Sequence, residues 1–368
     1  MKPSSTLSEE QDYQDWLALS FIPGIGQRTY LKLLKEFKHP KAILEAEEKT
    51  LRSFGLSERL IRDLKGYDWR EEVERELKRL SELNIKFITY YDHSYPVLLK
   101  EIYDPPPFLY VNGNLEILNS PMVAIVGSRL ASVYGLKATT RLASELSNFG
   151  ITIVSGLARG IDTAAHQGAI RAGKKTIAVL GCGIDVIYPR ENKKLYEKIS
   201  EVGALISEFH FGTPPEAQNF PIRNRVISGV SFGVIVVEAA KRSGSLITAR
   251  LALEQGREVF AVPGQIDSFR SEGTHKLIKQ GAKLVEKVED ILEEIDQFYN
   301  FSEVKRKKTV QLNSGEKEIW ALLDIPKYLD ELAQALDRPV REISSRLMTM
   351  EIKGLVKELP GKQYVKRF

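Results

Sequence analysis

Short apolar runs recur through the middle of the chain, at 122–126, 151–154, 176–180, 234–237 and 259–262. Most of them end in a glycine, a proline or a small polar residue. The segments between them have helical length and helical spacing. This pattern predicts strands over 122–126, 151–154, 176–180, 204–207, 234–237 and 258–262, with a short strand near Leu284. Helices are predicted over 132–148, 161–172, 192–200, 222–230, 245–255, 274–280 and 288–297. Strands that are apolar on both faces and alternate with helices form a parallel sheet covered on both sides, so the core is of the α/β class. In such sheets ligands bind where the carboxyl ends of the strands meet the loops.

The flanks follow other patterns. Residues 12–82 read as helical, with the turn Phe21-Ile-Pro-Gly-Ile-Gly26 ahead of an amphipathic helix at 30–37. A Pro-Gly-x-Gly turn between two helices is the hairpin of a helix-hairpin-helix module, and its backbone N–H groups can grip a phosphate. The pattern around 51–64 completes a small bundle, and the charged stretch 69–83 reads as a solvated connector. Two short strands at 85–89 and 108–113 bracket Pro105-Pro106-Pro107 and are placed on one edge of the main sheet. Residues 301–313 form a charged linker without periodicity. Three helices at 314–323, 328–336 and 339–353, then a ribbon at 355–359 and 363–366, make a winged-helix pattern. The domains are therefore set at 1–83 (helical), 84–300 (α/β), 301–313 (linker) and 314–368 (winged helix).

Composition narrows the class of function. The chain has 368 residues, 43% of them hydrophobic and 28% charged, which is ordinary for a protein with a sizeable core. Its single cysteine, Cys182, excludes a disulfide framework and a thiolate metal cluster. No apolar run is long enough to span a bilayer, and the N-terminal stretch lacks the apolar core of a signal peptide, so no membrane association is expected. The net charge is +4, but residues 121–285 carry 21 Lys+Arg against 13 Asp+Glu. A basic core in a nearly neutral chain points to an anionic partner. Residues 310–368 carry 10 Lys+Arg against 9 Asp+Glu, too even for a groove-reading helix, so protein contact is the use expected of that unit.

Four loops concentrate the special residues. Gly127-Ser128-Arg129 follows the first core strand, and Ser155-Gly156-Leu157-Ala158-Arg159-Gly160 leads into the next helix. Gly181-Cys182-Gly183-Ile184-Asp185 is followed by Tyr188-Pro189-Arg190-Glu191-Asn192, and the fourth loop is Phe220-Pro221-Ile222-Arg223-Asn224-Arg225. Glycines let a backbone approach a ligand, helix N-termini accept oxyanions, and arginine grips phosphate with two prongs. Four such loops at one sheet edge suggest a polyanion. Tyr188, Phe209, Phe211 and Phe220 lie near these cations, as in surfaces that stack unpaired bases, although Phe209 reads better as core than Phe220 does. Asp162 reads as a helix cap and His166 as a core or loop-bracing residue. Glu238 is either a catalytic carboxylate or, preferably, a brace for the turn Ser243-Gly244-Ser245.

Other chemistries lack their signatures. No G-x-G-x-x-G or G-x-x-x-x-G-K-[ST] motif is present. The five histidines are dispersed without metal-ligand spacing. No nucleophile and base pair stands out, and no metal or cofactor is expected.

At this point a resemblance enters. Val126-Gly-Ser-Arg129, Ser155-Gly-Leu-Ala-Arg-Gly-Ile-Asp162, Leu180-Gly-Cys-Gly-Ile-Asp185, Phe220-Pro-Ile-Arg-Asn-Arg-Val-Ile-Ser228, Ser243-Gly-Ser-Leu-Ile-Thr-Ala-Arg250 and Val262-Pro-Gly264 closely resemble the DNA-processing protein A (DprA/Smf) family. The resemblance covers about 95–285. It implies an extended Rossmann-like sheet flanked by a helical, SAM-like module and a winged helix. It also implies a cytoplasmic homodimer, joined through the α/β domain, that binds single-stranded DNA without hydrolysing it. Such a protein shields incoming strands in natural transformation and loads the RecA recombinase. The implied DNA-binding residues are Gly127, Ser128, Arg129, Gly156, Arg159, Gly160, Arg190, Asn192, Phe220, Arg223, Asn224, Arg225, Ser243 and Gly244. Lysine often stands in the family where this chain has Arg190. The alternative is an enzyme of the nucleoside-monophosphate phosphoribohydrolase kind centred on Arg129 and Glu238, although the Pro-Gly-Gly-x-Gly-Thr loop of those enzymes is replaced here by Ala240-Lys-Arg-Ser-Gly-Ser245. A third reading is a duplex-binding regulator acting through the winged helix.

Overall fold

The computed structural model describes residues 6–296, 314–352 and 355–366. The linker expected at 301–313 lies outside the described residues. Contacts organise the chain into two units, 1–304 and 305–368.

The first unit opens with six helices: α1 (Thr6–Phe21), α2 (Gln27–Phe37), α3 (Pro40–Glu45), α4 (Glu48–Ser53), α5 (Glu58–Gly66) and α6 (Arg70–Glu82). The turn between α1 and α2 is closed by the Ile25 N–H on the Ile22 carbonyl. Leu17, Tyr30, Leu33, Ile61 and Val73 meet in a core that continues into Phe87, Phe108 and Tyr110 of the sheet. The expectation of a solvated connector at 69–83 needs correction. One face of α6 buries Val73, Glu76 and Leu80. Glu76 is held there because its carboxylate accepts the Tyr110 hydroxyl (2.5 Å) and the Phe211 N–H (3.1 Å). The charges of α6 lie on its other faces, so the charge count concealed a buried stripe.

The α/β part follows: β1 (Lys86–Thr89), α7 (Val97–Lys100), β2 (Phe108–Gly113), β3 (Met122–Gly127), α8 (Val133–Asn148), β4 (Thr152–Ser155), α9 (Ile161–Arg171), β5 (Thr176–Val179), α10 (Lys193–Val202), β6 (Ala204–Ser207), α11 (Asn219–Gly229), β7 (Gly233–Val237), α12 (Gly244–Glu254), β8 (Glu258–Ala261), α13 (Glu272–Lys279), β9 (Lys283–Leu284) and α14 (Glu289–Ile295). Two 3₁₀ turns, Leu115–Asn119 and Arg190–Asn192, interrupt this order. The nine strands lie in the order β1-β2-β6-β5-β4-β3-β7-β8-β9. From β6 to β9 all pairs are parallel, whereas β2 pairs antiparallel with both β6 and β1, making the edge extension expected at 85–113.

Successive side chains of a strand point to opposite faces. Met122, Ala124 and Val126 of β3 accordingly join Val234 and Val236 of β7 in one core. Val123 and Ile125 join Ile235 and Val237 in the other. Burying each such side chain stabilises the fold by roughly 1.5–3 kcal/mol. From β3 the chain winds outward through β4, β5 and β6, then returns to place β7 on the other side of β3. The sheet therefore has its switch point between β3 and β7, where a crevice opens beyond the strand ends. Helix α11 starts at Asn219, three residues earlier than the apolar spacing suggests, so Phe220 stands in its first turn and not in a loop. Among the described residues no helix is long and apolar enough to cross a membrane.

The second unit contains α15 (Ser314–Leu322), β10 (Lys327–Tyr328), α16 (Leu329–Ala335), α17 (Val340–Ile352), β11 (Val356–Leu359) and β12 (Gln363–Lys366). Its three strands pair in the order β10-β12-β11. Ile319, Leu332, Ile343, Leu347 and Tyr364 form its core. Arg338 is held by Glu318 and Glu342, and Arg346 also by Glu342.

Candidate nucleic-acid interface

The loops after β3, β4 and β5 and the start of α11 meet in one groove at the carboxyl edge of the sheet. Its deep end is lined by Arg129, Gly156, Arg159, Gly181, Tyr188, Phe220 and Arg223. It widens over Gly127, Asn224 and the turn Ser243-Gly244-Ser245. The rings of Tyr188 and Phe220 pack at a tilt of 39° with centroids 5.6 Å apart. The guanidinium of Arg129 lies 5.4 Å from the Phe220 centroid and that of Arg223 5.8 Å from it. Cations this near an aromatic ring are attracted to its π-face.

Arg223 bolts this assembly together. It is buried, its Nη1 donates to the carbonyls of Gly156 (2.8 Å) and Val179, and its Nε donates to Asn224 Oδ1 (3.2 Å). A Cβ on Gly156 would stand 2.6 Å from that guanidinium, so only glycine fits there. Burial lowers the Arg223 pKa to about 10, with Asp162 opposing the shift, and the group stays charged at neutral pH. Asp162 does not cap α9, as the sequence suggested; Gly160 occupies that position. The Asp162 carboxylate instead accepts the N–H groups of Gly156 (3.1 Å) and Ala158 (3.4 Å) and so folds the loop. Burial raises its pKa, and Arg223 works against that rise. Gly160 has φ +73°, and a Cβ there would lie 2.3 Å from the Ser128 carbonyl, so the loops after β3 and β4 touch backbone to backbone. Ser128 Oγ accepts the Leu130 N–H at 3.1 Å.

The other predicted residues separate into two groups. Arg159 lines the groove and is exposed, and its Nε is paired with Glu191. That pairing raises the Arg159 pKa and lowers that of Glu191. Ser243 caps α12, accepting the Ser245 N–H (3.3 Å), and Gly244 follows it at the groove wall. Arg190 is exposed but does not line the groove; it opens the 3₁₀ turn whose next residue, Glu191, holds Arg159.

Two more lie outside the groove and are buried. Arg225 is buried on another side of α11, paired with Glu208 and donating to the Asp104 carbonyl. Asn192 is buried with its Nδ2 on the Leu157 carbonyl and Thr163 Oγ1, both at 2.9 Å. Their polar groups are consumed by the scaffold. Phe211, expected in the approach to the basic loops, packs on Tyr110 (5.1 Å) on the side of the helical module.

Glu238 braces a different turn from the one expected. Its carboxylate accepts the N–H (2.8 Å) and the hydroxyl of Ser132 at the start of α8. His166 is buried, and burial pushes its pKa down to about 3. The Cys182 thiol is pushed up to about 11 by burial. Among the described residues no cluster of three or more His, Cys, Asp or Glu could hold a metal ion. The sequence reading missed the part played by Glu191, whose signal was its place beside Arg190 in Tyr188-Pro-Arg-Glu-Asn192.

Fold and groove together define a parallel-sheet α/β protein that presents cations and aromatic rings on glycine-rich turns at the carboxyl edge of its sheet. The family model described as DNA recombination-mediator protein A matches residues 86–296, and that of the DprA winged helix domain matches residues 305–362. The chain belongs to this DprA/Smf family. It is 43% identical over 303 residues to protein Smf of Escherichia coli, covering 79% of this chain and 80% of that one. It is 50% identical over 205 residues to DNA processing protein DprA of Streptococcus pneumoniae, covering 56% and 72%. The X-ray structure of the S. pneumoniae protein superposes with a TM-score of 0.67 at 38% identity, covering 80% of this chain and 99% of that one. A Helicobacter pylori DNA processing protein A, solved for its single-stranded DNA binding mode, superposes with a TM-score of 0.53 at 32% identity, covering 59% and 99%.

Proposed function

We propose that this protein binds single-stranded DNA in the groove and acts as a DNA-processing mediator in transformation and recombination. The observation that carries the reading is the Tyr188–Phe220 pair flanked by Arg129 and Arg223. Tyr188 is exposed beside Phe220, so a base of an unpaired strand can stack there as a base of a duplex cannot, and each base stacked is worth roughly 1–3 kcal/mol. Arg129 and Arg159 follow the phosphates, and the backbone N–H groups at the starts of α11 and α12 add fixed positive potential. Gly127, Ser128, Gly156, Gly160, Asn224, Ser243 and Gly244 shape the floor and walls, while Arg190 serves the rim.

The binding reading is also supported by the occupation of Glu238 at Ser132, which takes the carboxylate away from the centre that a phosphoribohydrolase would need. The names of the relatives support DNA processing, and the H. pylori structure supports the choice of single strands. Loading of RecA and homodimerisation rest on the family resemblance. For the winged helix we favour protein contact over duplex binding, because Arg338 and Arg346 are held by carboxylates while Met348 stands exposed.

Salt titrations of binding to single-stranded and duplex oligonucleotides test the reading. Arg129→Ala is expected to weaken single-strand binding and to flatten its salt slope by about 0.7. Phe220→Ala is expected to cost roughly tenfold, within the range for a lost stacking ring. Equal affinity for duplex and single strand, or unchanged binding in both variants, would overturn it.

A further inference from the structure

A second aromatic and cation pair lies outside the groove. Tyr103 is 81% exposed, in the loop that ends at Pro105-Pro106-Pro107 before β2, and the Arg28 guanidinium lies 5.0 Å from its ring centroid. With so much of the ring open, a base can stack on it while the guanidinium meets a phosphate. Arg28 itself is exposed and has no carboxylate partner among the described residues.

The cluster beneath ties this pair to the groove. Gln27, next to Arg28, and Arg225 of α11 both hold Glu208. Arg225 also donates to the carbonyl of Asp104, next to Tyr103. On α11, Pro221 and Ile222 are exposed, four and three residues before Arg225, and so lie on its side of the helix. From Phe220 to Arg225 the rise along the helix is about 7.5 Å. Of the carboxylates on the way, Asp104 and Glu208 share the single charge of Arg225 and Glu101 pairs with Arg257.

We propose that a strand leaving the groove crosses the first turn of α11 and docks on Arg28 and Tyr103, with a base on the ring and a phosphate on the guanidinium. The proposal rests on the single-strand reading of the groove and extends it to a second subsite built jointly by the helical module and the loop before β2.

Full-length wild type, Tyr103→Ala, Tyr103→Phe, Arg28→Ala and Arg129→Ala are titrated with oligonucleotides of roughly 6 and roughly 25 nucleotides, lengths below and above what one face takes up. Tyr103→Ala is expected to lose about fivefold or more on the long strand only. Tyr103→Phe should bind as wild type, and Arg28→Ala should lower the salt slope on the long strand by about 0.7. No loss on the long strand overturns the subsite, and so does equal loss on both lengths, which would place the effect in the groove or the fold. Arg129→Ala separates the two readings. Unchanged short-strand affinity in that variant sinks the groove itself, whereas its loss beside a silent Tyr103 sinks only the extension.

Discussion

Arg159 is the groove cation whose charge is already spoken for. Its Nε is matched by Glu191, and both side chains are largely exposed, so a phosphate must compete with that carboxylate. Exposed ion pairs are weak and yield readily to a better partner. Removing the competitor should therefore tighten binding. Glu191→Gln is expected to raise single-strand affinity by about two- to fivefold at low salt, with the gain shrinking as salt rises. Fluorescence anisotropy with a labelled oligonucleotide reads this directly, and a drop in affinity would mean that Glu191 orients Arg159 for the strand. Because the Glu191 carboxyl titrates below its usual range, the gain should be constant from pH 6 to pH 8.

Elements decide which side chains can act together, and here sequence and structure part in an instructive way. Apolar runs buried on both faces make strands wherever they occur, so β3 to β8 were legible from composition and spacing alone. Their lateral order was not, because which strand lies beside which depends on contacts remote in sequence. In the site, the loops of Arg129 and Arg159 could be read because a glycine-rich turn after a strand points to the sheet edge. Arg225 could not be read without the start of α11. With the helix beginning at Asn219, Phe220, Arg223, Asn224 and Ile227 share one stripe by their spacing of three, four and seven. Arg225, five residues after Phe220, falls on another side. Starting the helix at 222 hides that phase.

The same scale holds a pH-dependent joint. Thr176 Oγ1 of β5 donates to the Ile153 carbonyl of β4 (2.7 Å), so it must accept from His166 Nδ1 of α9 (2.8 Å). That leaves Nε2 unprotonated, buried and without a partner. In the unfolded chain the imidazole takes a proton below about pH 6.5, whereas in the fold it resists protonation down to about 3. The unfolded state thus binds the extra proton across that window, and stability falls as pH drops through it. The loss should reach about 2 kcal/mol by pH 5. His166→Asn, which keeps a donor for Thr176, should show a shallower fall in urea-unfolding stability between pH 7 and pH 5 than wild type. Identical slopes would show that His166 is not the titrating group.

At the scale of the whole molecule, exposed apolar side chains stand beside the groove. Leu130 and Val133 after β3 and Ile266 and Phe269 after β8 are all exposed, Ile266 at 94%. Their loops are joined, Tyr134 Oη donating to the Pro263 carbonyl (2.8 Å) and Arg270 Nε to the Leu130 carbonyl (2.9 Å). Exposed apolar side chains on two joined loops are the kind of surface that a second copy can cover. This surface begins one residue from Arg129, so two copies meeting there about a twofold axis would bring their grooves to one side. A strand long enough to enter both would then bind with the gain of linked sites, of order 10²–10⁴ at best. If two copies meet at these loops, Ile266→Arg shifts the protein to monomers in sedimentation velocity. It should also weaken binding of a strand of about 30 nucleotides by tenfold or more, while a strand that fills only one groove binds as before. A wild type that sediments as a monomer at micromolar concentration would remove the dimer, and a dimeric Ile266→Arg would move the interface elsewhere. Loss of short-strand binding in that variant would show instead that the patch supports the Arg129 loop from within a single chain.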